Sequence, residues 1–236
     1  MRRILFFITS LILGNTLVAM DNSRDLTQQL CEAIYFYQDD QIASLIERGA
    51  QVDIRTRDGG TLMHVAALVG NPGAVDPLAQ AGLPVDIAGA GGRRPMHDAS
   101  RLGHCDVVRR LLVWRASTMQ ADDQGNLPIH YASVCGRRDV VSLLLERDER
   151  MGARYNAMMV SAGDGSIPLC LAAEGGHMPV VLLLLARMGR RGCLGHAQAR
   201  GQVRDSACRA RNTGHDNVAD TIEQFLEGMQ CDEGNR

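Results

Sequence analysis

This sequence contains no lysine: all 25 of its basic residues are arginine. Two causes fit, an arginine-biased genome or avoidance of lysine modification in a host-facing or ubiquitin-exposed protein. Aromatic residues are scarce, at 4% against 45% hydrophobic overall. An aliphatic chain rich in Leu and Ala suits packed helices better than a β-sandwich. An excess of one charge is lacking too. The formal net charge is -2, so no whole-molecule field favours nucleic acid. No close CxxC pair occurs among the seven cysteines, which argues against a zinc cage. Their odd number cannot pair completely within one chain. Cys31, Cys105, Cys135, Cys170, Cys193, Cys208 and Cys231 are read as mostly free, partly buried thiols. No GxSxG elbow, P-loop or HExxH is present, and nothing assembles the nucleophile, base and orienting group that hydrolysis needs.

What is present begins with a short apolar run at the N-terminus. Arg2 and Arg3 precede the uncharged stretch Ile4 to Gly14, and Leu17-Val18-Ala19 follow. A positive region, a short apolar core and a small-residue site are the parts of a secretory signal. Residues 1–19 are therefore expected to be a signal peptide cleaved after Ala19, or else a retained N-terminal anchor. Either version places the rest of the chain outside the cytoplasm, as a secreted, periplasmic or anchored protein. Free thiols sit uneasily with such an oxidising compartment.

The dominant feature is a repeat. Gly70, Gly103 and Gly136 are spaced by 33 residues, and so are His64, His97 and His130. Thr61-Leu62-Met63-His64-Val65-Ala66-Ala67 corresponds to Arg94-Pro95-Met96-His97-Asp98-Ala99-Ser100 and to Leu127-Pro128-Ile129-His130-Tyr131-Ala132-Ser133. Ile167-Pro168-Leu169-Cys170-Leu171-Ala172-Ala173, before Gly176-His177, follows after a step of 40 residues. Ile42, Val75, Val108, Val141 and Val181 form a second apolar set, with Leu45, Leu78, Leu111, Leu144 and Leu184 behind them. Each unit thus reads as a short first helix, a Gly corner, a longer second helix and a loop. Proline fits the first turn of a helix, where its missing N–H costs little. Glycine at the corner can take positive φ.

These residues resemble the ankyrin repeat, whose unit combines a Thr-Pro-Leu-His start, Ala-Ala, Gly-His and a Val-Val…Leu-Leu second helix. The resemblance implies an all-α, ankyrin-repeat solenoid of about six stacked helix-turn-helix units with degenerate end units. It covers residues 24–228 and leaves 229–236 as a C-terminal tail. The departures carry expectations of their own. The start threonine survives only at Thr61, and Cys170 replaces the histidine. The loop glycines Gly49 and Gly82 give way to Arg115 and Asp148, so the third and fourth units are expected to be less regular and less stable. Asp148 to Gly163 and Met188 to Arg204 break the period, and the second stretch, with Arg190, Arg191, Gly192, Gly195, Arg200 and Gly201, is expected to be a flexible basic loop.

The function the resemblance implies is protein binding without chemistry, through the concave face and loop tips. Family members contact partners with the loop before the first helix and with the two positions before the corner glycine. Carried onto this chain, the loop positions are Arg57, Asp58, Arg93, Asp123, Gln124, Asn126, Asp164 and Ser166. The helix positions are Leu68, Val69, Arg101, Leu102, Val134, Cys135 and Glu174. Leu68, Val69, Leu102 and Val134 would form an apolar strip flanked by charge, or would pack on the next unit. The helix-start histidines would hydrogen-bond between loop and helix, so they are not read as metal ligands. No metal, cofactor or nucleic acid is expected, and the protein partner is unidentified. A monomer is expected, with no membrane contact unless the N-terminal segment is retained. Two other classes stay open: an inhibitory subunit that masks an enzyme, and a thiol-based redox protein using Cys135 beside Arg137 and Arg138. The arginine pairs are interspersed with Asp106, Asp139, Glu146, Asp148 and Glu149, which favours a mixed solvated surface over a basic stripe.

Overall fold

The computed structural model describes residues 22–150, 157–191 and 197–233. The expected signal segment 1–19 lies outside them, as do Gly192, Cys193, Gly195 and His196. Among the described residues the fold is all-α, with no strand. Its helices come in pairs: α1 (Asn22–Tyr35) with α2 (Asp39–Glu47), α3 (Leu62–Val69) with α4 (Val75–Gln80), and α5 (Pro95–Leu102) with α6 (Cys105–Val113). The later pairs are α7 (Pro128–Val134) with α8 (Arg138–Arg150), α9 (Pro168–Glu174) with α10 (Met178–Arg191), and α11 (Ala197–Asn212) with α12 (Asp216–Glu233). Pro95, Pro128 and Pro168 each open a first helix, as their missing N–H predicts.

The same closing bond recurs at every corner. The backbone N–H of Gln38, Asn71, His104, Arg137, His177 and His215 donates to Ala33, Ala66, Ala99, Ala132, Ala172 and Ala210 O in turn, at 2.8–3.0 Å. Each of those alanines has 0% relative exposure. This six-to-one bond ends the first helix in a left-handed residue. Glycine fills that place at Gly70, Gly103, Gly136, Gly176 and Gly214, all with positive φ. Only small side chains let the first helices of neighbouring repeats approach this closely, which is why alanine recurs.

The chain forms two compact units. One ends at Ala99 and takes in His104–Ser117; the other holds Ser100–Gly103 and the chain from Thr118 onward. In the first unit α1 packs on α3, α2 on α4, and α4 on α6. In the second, α7 packs on α9 and α9 on α11, while α8 packs on α10 and α10 on α12. First helices therefore stack on first helices and second on second within each unit. The second-helix set predicted from the repeat is the core: Ile42, Val75, Leu78, Val108, Leu111, Val141, Val181 and Leu184 are fully buried.

The degenerate loops differ from each other in a physical way. Second helices end at Gly49 and Gly82 with φ of +96° and +90°. Arg115 takes their place, and its backbone is forced to φ +61° by the same pair of closing bonds, Arg115 N–H to Leu112 O and Ala116 N–H to Leu111 O. A side chain in that conformation costs about 1–2 kcal/mol, less what glycine loses in unfolded-chain entropy. Arg115→Gly should therefore raise stability by about 0.5–1 kcal/mol, read as a higher melting temperature. At Asp148 the outcome is different. No glycine stops the helix there, so α8 runs on to Arg150 and Asp148 becomes a buried helical residue.

The flexible basic loop expected over Met188–Arg204 is a correction. Arg190 and Arg191 end α10, and Arg200 and Gly201 lie inside α11. Gly201 costs about 1 kcal/mol in a helix interior. Burial of Ala199, Val203, Ala207 and Ala210 along one face of α11 outweighs it.

Candidate functional site

Among the described residues, the second to fifth repeats each present a loop tip and the exposed side of a first helix. The tips are tight hairpin turns. In the first unit, Thr56 N–H donates to Gly60 O at 2.9 Å, and Ala90 N–H of the next tip donates to Asp58 O at 3.0 Å. In the second, Asp122 N–H donates to Asn126 O at 3.0 Å, and Gly163 N–H donates to Gln124 O at 3.0 Å. Neighbouring tips within a unit are thus tied backbone to backbone, which fixes their spacing.

Side chains then rigidify the turns. Asp122 Oδ1 accepts from the N–H groups of Gln124 and Asn126 at 2.9 and 2.8 Å. Tyr131 Oη donates to Asp122 Oδ2 at 2.6 Å. Asp164 Oδ1 accepts from Ser166 N–H and its Oδ2 from the Ser166 hydroxyl, both at 2.9 Å. The Ser166 backbone donor is the main reason the Asp164 carboxyl is held below its usual range. These carboxylates are turn-formers, as their types and places predict.

The helix-start histidines fasten loop to helix. His64 Nδ1 accepts from Thr61 N–H at 3.0 Å, and His64 Nε2 lies 3.1 Å from Arg93 O. His130 Nδ1 accepts from Leu127 N–H at 2.8 Å, and its Nε2 lies 2.9 Å from Val160 O. His97 Nδ1 accepts from Arg94 N–H at 3.0 Å. An accepting Nδ1 puts the proton of His64 and His130 on Nε2, where it is donated to the next loop. Burial is the main cause holding both rings below the ordinary histidine pKa, against the upward pull of those carbonyls. The folded state therefore favours neutral rings. Their contribution is complete above the unfolded value, about 6.5, and is lost as pH falls toward the lower folded value. Lowering the pH from about 7.5 to 5 should depress the melting temperature, and the drop should shrink in a His64→Gln/His130→Gln variant.

In the fifth repeat Cys170 stands in for that histidine. Its Sγ lies 3.0 Å from Ser206 Oγ, on α11 rather than on a loop carbonyl. Burial is the main cause raising the Cys170 thiol above its usual value, and burial pushes Cys31 up to about 12. A thiol held protonated is a poor nucleophile. Among the described cysteines, Cys31, Cys135, Cys170 and Cys208 are free thiols. Among the described residues, no group of three or more His, Cys, Asp or Glu is placed to hold a metal ion.

The predicted contact residues fall into distinct environments. In the first unit Arg57, Asp58 and Leu68 are exposed, whereas Val69 and Arg93 are half-buried. The Arg93 guanidinium lies 3.9 Å from Asp98. In the second unit Asp123, Gln124 and Val134 are exposed, Val134 by 47%. Arg101, Leu102, Asn126 and Cys135 are half-buried. Arg101 O accepts from Arg137 Nε at 3.2 Å. Ser166 is buried, and Asp164 and Glu174 are engaged within the fold rather than free. Their organiser is Arg209, which sequence reasoning missed: its Nη1 donates to Ser166 Oγ at 2.8 Å and to Glu174 Oε1 at 3.0 Å. Of the four apolar positions, Leu68 and Val134 are exposed, and Val69 and Leu102 are half-covered.

A second omission concerns Tyr35 and Phe36. They stand one repeat step before Leu68 and Val69, at the two positions preceding a corner, and are 36% and 46% exposed. Tyr37 occupies the corner place that glycine holds elsewhere, at φ +57°, and this hid the corner. The 33-residue offset alone would have found both.

The description "Ankyrin repeats (3 copies)" matches residues 30–119, and "Ankyrin repeat" matches residues 124–156. Together these spans cover more than half of the chain. The chain belongs to the ankyrin-repeat family. Among curated proteins, none matches it. Ankyrin repeats generally mediate protein–protein interaction and are typically non-catalytic scaffolds. The geometry agrees with that general role, because the ankyrin tips and first helices are held rigidly by interior bonds while part of their outward surface stays open.

Proposed function

We propose that this ankyrin-repeat protein is a non-catalytic scaffold that binds a partner protein through its loop tips and the exposed side of its first helices. The observation carrying this reading is the pairing of rigid tips with exposed side chains the fold does not use, Arg57 and Leu68 in one unit, Asp123 and Val134 in the other. Fixed loops lose little entropy on binding, so apolar side chains beside charge can act as anchors. The Arg-Arg and apolar start supports export, with residues 1–19 removed as a signal and the partner met outside the cytoplasm. Among the described residues, no helix is long and apolar enough to cross a membrane.

Affinity purification from the native source, with N-terminal sequencing of the mature protein, tests both halves. One protein should be retained by the wild type and depleted by Arg57→Ala and Val134→Ser, each with a melting temperature close to wild type. Losing one exposed anchor should weaken binding by about tenfold or more. Equal retention by the variants contradicts the reading, and a mature chain that begins at Met1 contradicts cleavage.

A further inference from the structure

The corner between α1 and α2 carries three consecutive exposed aromatic residues in a chain with few of them. Tyr35, Phe36 and Tyr37 are 36%, 46% and 52% exposed. They are three of nine aromatic residues in the sequence. The rings of Tyr35 and Phe36 meet edge to face, with centroids 5.2 Å apart. Tyr37 Oη donates to Val69 O at 2.7 Å, which brings the next first helix, with Leu68 42% exposed, against the cluster. Tyr37 holds a left-handed backbone that the later corners give to glycine. A side chain in that conformation is strained where glycine would not be. The hydrogen bond to Val69 O offsets part of that strain but does not require rings at Tyr35 and Phe36.

The charges nearest these rings in the sequence are acidic. Between Leu26 and Glu47 the hairpin carries Glu32, Asp39, Asp40 and Glu47, and its nearest basic residues, Arg24 and Arg48, stand just beyond the two ends of that stretch. Asp39 and Asp40 are exposed in the first turn of α2, immediately after the aromatic run. Aromatic faces attract cations, and carboxylates beside them add to the attraction. An anionic membrane surface is repelled by the same carboxylates.

We infer that Tyr35, Phe36, Tyr37 and Leu68 form a docking surface for a protein segment that combines arginine or lysine with large apolar side chains. This rests on the scaffold reading above and adds the chemistry of the partner. The rings and Leu68 take the apolar side chains, and the exposed Asp40 beside them faces the cations.

Selection of a random-peptide library displayed on phage against the full chain tests this. The enriched sequences should place Arg or Lys next to Leu, Phe or Trp. A synthetic peptide from that set should lose at least about tenfold in affinity on Tyr35→Ser/Phe36→Ser. Asp40→Asn should weaken it several-fold and flatten its salt dependence. Leu182→Ser, which removes an exposed apolar side chain of the other unit, should leave it unchanged. Circular dichroism melts confirm that each variant folds. An acidic consensus, no enrichment, or binding indifferent to Tyr35 and Phe36 overturns the inference. So does a dimer in sedimentation that Phe36→Ser dissolves, or peptide binding seen only after residues 1–19 are removed, because another occupant then covers the rings. If the captured native partner depends on Arg57 and Val134 but not on Phe36, this inference fails while the scaffold reading stands.

Discussion

Leu111→Ala should destabilise the protein by about 2–5 kcal/mol, the range for emptying a fully buried leucine site. Leu111 has 0% exposure on α6, which packs on α4 through the layer that holds Val75 and Leu78. The repeat positions flanking it are equally closed, so the cavity has little freedom to collapse. In a stacked array each second helix is supported by its neighbours, so a void in one layer weakens that contact as well as its own hairpin. Urea denaturation reads this as a lower midpoint, with the slope reporting any loss of cooperativity. A variant that unfolds like wild type would show that the second-helix register is wrong.

The second large effect is expected at a corner. Gly70 has φ +88°, and a Cβ there would stand 2.5 Å from the ring of His104. The same overlap recurs as a ladder: His177 covers Gly136 and His215 covers Gly176, with Arg137 over Gly103. In each case the residue after one corner glycine lies on the glycine of the preceding repeat. His177 Nε2 also donates to Val134 O at 2.8 Å, satisfying a helix-end carbonyl. Gly70→Ala should therefore cost about 2–4 kcal/mol, the left-handed penalty plus overpacking. Gly82→Ala is the control. Its φ is +90° but nothing lies within 4 Å of the added Cβ, so only the conformational part remains. Adding His104→Ala to Gly70→Ala should recover part of the loss, and the coupling measures the ladder contact. Equal effects at Gly70 and Gly82 would remove the steric half of this account.

Much of this fold was legible because each repeated residue has one physical task. The corner glycines, the buried alanines and the Val/Leu set recur because the same bond, approach or layer recurs with them. Arg209 escaped notice because its partners Ser166 and Glu174 are distant in sequence and belong to the previous repeat. The helical course of Arg190–Arg191 and Arg200–Gly201 was misjudged from glycine and arginine content, although Ala199, Val203, Ala207 and Ala210 already spaced a buried face. The contact surface was legible only in part. Periodicity locates Leu68 and Val134, but whether a carboxylate such as Asp164 or Glu174 is open depends on bonds that no local pattern displays. Tyr37 shows the converse: one substitution at a corner concealed a pair of exposed rings that the period itself places.

Hydrogen–deuterium exchange on the complex with the captured partner is the most direct test of binding through tips and first helices. Protection is expected at the loop tips around Arg57–Asp58 and Asp123–Gln124 and at the first-helix ends near Leu68 and Val134. The exposed side of the second helices, at Val113 and Leu182, should exchange as in the free protein. Protection confined to the second helices, with the tips unchanged, would contradict the account.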